Sequence, residues 1–200
     1  MGIGALILFI AMILVAGIAA NVMIQTMNSL EEQALATGAE TIREVSGGLK
    51  VTQVNGYANT TDITLVAIFV EPMSGTDQID MMHTYIALTD TSSEVILNYT
   101  SVAFESAVTS GLFGTMDDAK LTSSKYGIMV VRDVDSSLSA TDPSLNDQDL
   151  IVLLVNTTAC FSGIDTRTQV RGEVVPEYGA KGVISFVTPP SYINTIEELQ

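Results

Sequence analysis

The stretch "RDVDSSLSATDPSLNDQD" gathers Asp133, Asp135, Asp142, Asp147 and Asp149 in one turn-rich segment between two apolar runs. Hard oxygen donors close together are what Ca²⁺ takes as ligands. Asp133-x-Asp135-x-Ser137 has the spacing of the first ligands of an EF-hand loop. However, Leu138 stands where that loop needs Gly, and Ser144 where it needs the bidentate Glu. The five aspartates are therefore candidate Ca²⁺ ligands outside an EF-hand. A solvated acidic loop held by side-chain turns is the simpler alternative.

Other chemistry is poorly supplied. His83 is the only histidine, which removes multi-histidine metal sites and leaves a lone candidate base inside a strand-like run, "MMHTYIAL". Cys160 is the only cysteine, so the chain forms no internal disulfide, and it reads as a small core residue. No nucleophile elbow, zinc-protease helix, phosphate loop or dinucleotide loop occurs. The "GIGAL" at the start has no strand before it and fails as a glycine loop. A glycosidase pair chosen from 23 acidic residues would be arbitrary, and no catalytic residue is nominated. Asn59, Asn98 and Asn156 each open an N-x-S/T sequon, and all fall in the β-prone part of the chain. They are candidate sites for N-linked glycans.

With 23 acidic residues against 8 basic, the net charge is −15. Such a surface has no cationic face to displace phosphate counterions, so nucleic acid is not an expected partner. It also lacks a polybasic grip for anionic lipid. The charge suits a well-solvated exterior in a salty or cation-rich medium.

Two elements must carry these residues. "MGIGALILFIAMILVAGIAANVMIQ" has no charge, and the first charged residue is Glu31. Ile3 to Ala20 is continuously apolar, about 27 Å as a helix, which is membrane-span length. No basic n-region or small-x-small cleavage site marks a secretory signal. No Trp, Tyr, Lys or Arg closes the run as an interfacial anchor would; Asn21, Gln25, Thr26, Asn28 and Ser29 follow instead. Helical spacing continues through Leu30, Ala34, Leu35, Ala39, Ile42 and Val45 to Gly47-Gly48, with Gly17 and Gly38 as soft points. One helix of roughly 65 Å is expected. Its first half, apolar all round, must be surrounded by lipid or by other helices. Its second half needs one partner surface, most simply its own β domain.

From Leu49 the pattern changes to short β-prone runs: "LKVTQVN", "ITLVAIFV", "HTYIALT", "EVILNYTSVAFE", "YGIMVVRDV", "DLIVLLVNT", "RTQVRGEVVPE" and "GVISFVT". They predict an antiparallel sandwich or barrel-like head in which "ITLVAIFV" and "LIVLLV", lacking alternation, are covered on both faces. The chain thus reads as α+β: residues 1–47 a hydrophobic helix, residues 48–200 a β-sandwich head.

"GIGALILFIAMILVAGIAANVMI" resembles the mature N-terminus of archaellins, the archaeal flagellins that build the archaellum filament. "VRDVDSSLS", "LNDQDLIVLLVN", "VRGEVVPEYGAKGVISFVTPPSY" and the closing "IEELQ" resemble archaellin head segments in the same order, with the weakest match between about residues 57 and 125. Bacterial-type pilins carry a glutamate at the fifth mature position, and this chain has Ala5. The resemblance implies an immunoglobulin-like head, an apolar helix held in the membrane before assembly, and a structural role as one of many copies in an extracellular swimming filament. In that role Ile3, Leu6, Leu8, Phe9, Ile13, Leu14 and Ile18 pack the filament core. Small residues such as Gly4, Ala11, Ala16 and Gly17 allow close helix approach.

The resemblance also implies processing by a prepilin-peptidase-like enzyme that removes a short basic leader, which leaves Met1 as the expected first residue of the processed subunit. Export and motor proteins, and a second archaellin in the filament, are further implied partners. The alternatives are an archaeal type IV adhesion pilin and, from another class, a membrane-anchored extracellular binding module or enzyme.

Overall fold

The computed structural model describes residues 2–146 and 148–200. The helix α1 runs unbroken from Gly2 to Ser46, as the absence of proline before Pro72 and the density of Ala, Leu, Ile and Met favour. Polar side chains within it satisfy themselves locally. The hydroxyls of Thr26 and Thr41 donate to the carbonyls of Val22 and Thr37 one turn back, each at 2.8 Å. The helix stops at Gly47-Gly48, where Gly48 takes φ +152° and a Cβ would lie 2.5 Å from the Ala180 nitrogen. Only glycine tolerates that approach.

No described residue of α1 is buried. Leu30 and Leu35 in its amphipathic second half are exposed, like the apolar first half. The chain divides into two compact units, residues up to Ile42 and residues 43–200, so the last helical turn belongs to the β unit.

The β unit contains β1 (Leu49–Ala58), β2 (Asp62–Pro72), β3 (Ile79–Asp80), β4 (Tyr85–Thr89), β5 (Glu94–Glu105), β6 (Lys125–Arg132), β7 (Ser144–Leu145), β8 (Leu150–Asn156), the short helix α2 (Thr157–Phe161), β9 (Ile164–Asp165), β10 (Gln169–Val175), β11 (Gly182–Val187) and β12 (Ile196–Glu198). Among the described residues, ten strands form one sheet in the order β11-β10-β4-β5-β6-β8-β2-β1-β12, with β9 joined to β2; β3 and β7 form a separate pair. The pairing is antiparallel with one exception: β5 and β6 run parallel, with a register shift between Tyr99 and Phe104. The head is therefore mostly antiparallel, as expected, but its strands form one curled sheet with a parallel seam.

The sheet curls far enough for its ends to meet. Leu49 N donates to the Ala180 carbonyl and Ala180 N to the Gly47 carbonyl, each at 2.9 Å. At the other end of β1, the Gln200 side chain accepts from Ser185 N at 2.8 Å and donates to the Val183 carbonyl at 3.2 Å, which fastens the C-terminus to β11. Inside lies the main core, drawn from both halves of the sheet: Val54, Ile68, Leu97, Ile128, Leu153 and Ile184 are among its members. Tyr126, fully buried, donates its hydroxyl to the carbonyls of Met81 and Thr84.

The non-alternating runs have a physical explanation. The connection between β5 and β6, which includes a 3₁₀ turn at Asp118–Lys120, lays Met116 and Leu121 over Leu65, Ala67, Met129, Val152 and Leu154 on the outer face of β2, β6 and β8. Those central strands are apolar on both faces because both faces are covered.

Candidate functional site

The largest candidate surface is α1 itself. The residues expected to pack a filament core are all exposed in the subunit, from 55% at Ile13 to 79% at Ile3. Leu6, Leu8, Phe9, Leu14 and Ile18 fall between these values. A helix of 45 residues with its apolar stretch uncovered on every face is not stable in water alone. Its length and hydropathy suit a membrane, and its small residues Gly4, Ala5, Ala11, Ala16 and Gly17 suit close packing against like helices.

The acidic loop between β6 and β8 is the second candidate. It brings three of the five aspartates together: Asp133, Asp135 and Asp149 each offer a carboxylate oxygen within 4.8 Å of the others. Asp149 is fully buried. Asp142 stands apart from this group, its carboxylate instead accepting from the Ser144 hydroxyl at 3.0 Å. Asp147 lies outside the described residues.

The three converging carboxylates are organised by N–H and O–H donors. Asp133 accepts from the backbone of Ser136, Ser137 and Leu138; Asp149 accepts from Val134 N, Asn146 N and the Ser137 hydroxyl. Asp135 accepts from the Asn146 amide at 2.7 Å. That hydrogen bond, with those from Ser137, holds the Asp135 carboxyl below its ordinary range. Three hard carboxylate donors with no ion-paired cation among the described residues have the donor chemistry of a divalent-ion site such as one for Ca²⁺.

The sequons differ in setting. Asn59 is exposed in the β1–β2 turn, where its side chain accepts from Thr60 N at 2.8 Å. It sits beside a cleft of about 470 Å³ lined by Tyr57, Tyr192 and Asn194. Asn98 is exposed within β5. Asn156 is half-buried and already employed: it caps α2 by accepting from Ala159 N at 3.0 Å, and its amide nitrogen points to the Asp118 carbonyl.

His83 is exposed in the turn before β4, 2.9 Å from Asp80, with no further side-chain partner among the described residues. Cys160 is half-buried in α2 rather than fully inside, and burial pushes its thiol up to about 11. A poorly ionised thiol at neutral pH is a weak nucleophile.

One feature of the β unit has no clear signal in the sequence. The Arg43 guanidinium lies 4.0 Å from the centre of the Tyr178 ring, and both side chains donate to the Gln78 carbonyl. Gly179, with φ +86°, brings the chain against Gly47 and Gly48. A basic residue in a helix's last turn is an ordinary dipole match, so Arg43 is readable; its aromatic partner, far along the chain, is not.

The chain is similar to known proteins over its whole length. Residues 1–186 match the family model for archaeal-type flagellin. Flagellin B2 of Methanocaldococcus jannaschii is 40% identical over 202 residues, spanning 100% of this chain and 93% of that protein. The crystal structure of archaeal flagellin FlaB1 from the same organism aligns with TM-score 0.70 at 32% identity, over 77% of this chain and 97% of that one. The archaeal flagellum of Methanospirillum hungatei strain JF1 has a subunit fold that aligns over 100% of this chain and 98% of that chain, with TM-score 0.67 at 13% identity.

Proposed function

This chain belongs to the archaeal-type flagellins, and from that premise we infer that it is a structural subunit of the archaellum, polymerised in many copies on the cell surface for swimming. The observation that carries the reading is the state of α1: an apolar helix none of whose residues its own chain buries. Lipid covers that surface before assembly and neighbouring helices cover it afterwards. Moving between two apolar surroundings forfeits little hydrophobic stabilisation, so the helix exchanges one for the other. Contacts between unlike surfaces of successive copies do not close into a ring but continue as a helical polymer. An adhesion pilin or a permanently anchored module is not favoured by a match to flagellins over the whole chain.

The subunit acts without catalysis; torque comes from motor proteins, and a prepilin-peptidase-like enzyme and an export apparatus handle it before assembly. The cluster of Asp133, Asp135 and Asp149 would hold Ca²⁺, which supplies positive charge where three carboxylates meet and ties the loop to β8. N-linked glycans would extend from the exposed sequons. A second archaellin co-assembles if its helix presents the same apolar surface.

Electron microscopy of shed surface material tests the main reading. Regular filaments containing this chain are expected, with the helices inside and the β unit outside. Recovery of the chain only as a monomer in membrane vesicles would overturn it.

A further inference from the structure

The second half of α1 raises a question that its apolar half does not. Up to Ile42 the helix carries Glu31, Glu32 and Glu40 and no lysine or arginine. On the same stretch Leu30 and Leu35 are exposed. A partner that covers these leucines must also meet the carboxylates. The same stretch of a parallel neighbouring helix would set glutamate against glutamate where water is scarce, and like charges at short range repel. The fitting partner is cationic with an apolar wall.

Three of the eight cations of the β unit are committed: Lys120 pairs with Glu105 at 3.3 Å, Lys181 with Glu173 at 2.9 Å, and Arg43 stacks on Tyr178. Lys50 and Arg132 differ. Lys50 stands opposite Glu71 in the β1–β2 ladder, yet makes no ion pair or side-chain hydrogen bond among the described residues. Arg132 donates only its Nε, to the Gln148 carbonyl, and its terminal nitrogens have no partner among the described residues.

Both are exposed, and together they line a cleft of about 340 Å³ with Glu71, Pro72, Met73 and Asp149. Asp149, fully buried, gives its carboxylate to the group with Asp133 and Asp135, while Glu71 stands opposite Lys50 in the ladder. Pro72 and Met73 give the cleft an apolar side.

We propose that this cleft receives the acidic stretch of α1 from a second copy of the chain, Lys50 and Arg132 pairing with carboxylates of Glu31, Glu32 or Glu40 while Pro72 and Met73 cover Leu30 or Leu35. The proposal rests on the filament reading above and assigns the two halves of the helix different partners. The apolar half meets other helices, and the acidic half meets another copy's β unit.

Filaments grown from mixed ¹⁴N and ¹⁵N chains, treated with a water-soluble carbodiimide, provide the test. The reagent joins a carboxylate to a lysine amine only where the two touch. The expected product is a mixed-isotope peptide linking Glu31, Glu32 or Glu40 to Lys50. Links from those glutamates only to Lys120, Lys125 or Lys181, or no mixed-isotope link at Lys50, would overturn the proposal.

Charge reversal adds a second readout. The Lys50→Glu/Arg132→Glu chain is expected to lose about tenfold in filament yield at low salt, the scale of two partly exposed ion pairs. Adding Glu31→Lys/Glu32→Lys is expected to restore it. Full yield from the first variant overturns the docking, as does failure of the combined chain to recover although its β unit melts normally. Wild-type cells that make no filaments would sink the filament reading and this docking with it.

Discussion

Replacing Leu8 by aspartate separates what the helix does for the subunit from what it does for the polymer. Leu8 is 68% exposed in the chain, with no buried surroundings to lose. The substitution should therefore leave the β unit's melting unchanged in detergent-held full-length chain. In the filament core proposed above the same site would be surrounded. Losing the leucine's burial removes about 2 kcal/mol of hydrophobic stabilisation. Placing a carboxylate at the centre of an apolar helix costs about 3 kcal/mol more. The sum, about 5 kcal/mol per copy, is roughly three to four powers of ten in the equilibrium for subunit addition. The assay compares pelleted filaments, the membrane fraction and head melting for wild type, Leu8→Ala and Leu8→Asp. Leu8→Ala loses only the burial part and should give fewer filaments, whereas Leu8→Asp should give none. Normal filaments from Leu8→Asp would show that residue 8 is not enclosed, and a lowered head melting temperature would show that the helix supports the β unit after all.

The acidic loop predicts a chelation effect. Ca²⁺ should raise the β unit's melting temperature, EDTA should lower it, and Asp149→Asn should abolish the difference; scanning calorimetry with and without EDTA checks this. Replacing Asn146 by alanine removes the chief hydrogen bond that depresses the Asp135 carboxyl. The stability this group contributes is present above its ordinary carboxylate pKa and fades as pH falls through the depressed folded value, so the variant should lose its loop at higher pH than wild type, as an NMR titration would read. For Gly48→Ala, a Cβ driven against the Ala180 backbone at φ +152° should cost the β unit about 1–3 kcal/mol in chemical denaturation. Site-resolved glycopeptide mass should find sugar at Asn59 and Asn98 but not at Asn156, whose side chain is occupied as the cap of α2.

Much of this architecture was legible because it rests on local pattern. An apolar run without proline can only be a helix, and Gly47-Gly48 is a stop that the close passage of Ala180 then makes obligatory. The non-alternating "ITLVAIFV" and "LIVLLV" announced strands covered on both sides, although nothing in them named the Met116 and Leu121 connection that covers the outer face. The parallel β5–β6 pair was invisible for a similar reason. Strand direction is decided by what a long connection does in space, and no helical crossover advertised it. Five aspartates in one loop looked equivalent as letters. Backbone turns send Asp133 and Asp135 towards Asp149 and leave Asp142 to Ser144, a distinction of direction that spacing does not encode. The apolar stripe through Leu30 and Leu35 was legible as a face that needs a cover, but letters do not say whose surface covers it, and in a polymer subunit other copies can do so.

The Gln200 amide that fastens the chain's end to β11 has a further consequence. Copies in a filament stand shoulder to shoulder at a local concentration no free protein reaches, and a sheet with unpaired backbone along its rim would recruit its neighbour's strands without limit. Here the opening of β1 lies against Ala180, its far end is covered by β12, and the Val183 and Ser185 backbone groups that face outward are occupied by a side chain of the same molecule. With so much of its rim spoken for, the wall of β units can be crowded without fusing, and the order of the assembly is left to the helices.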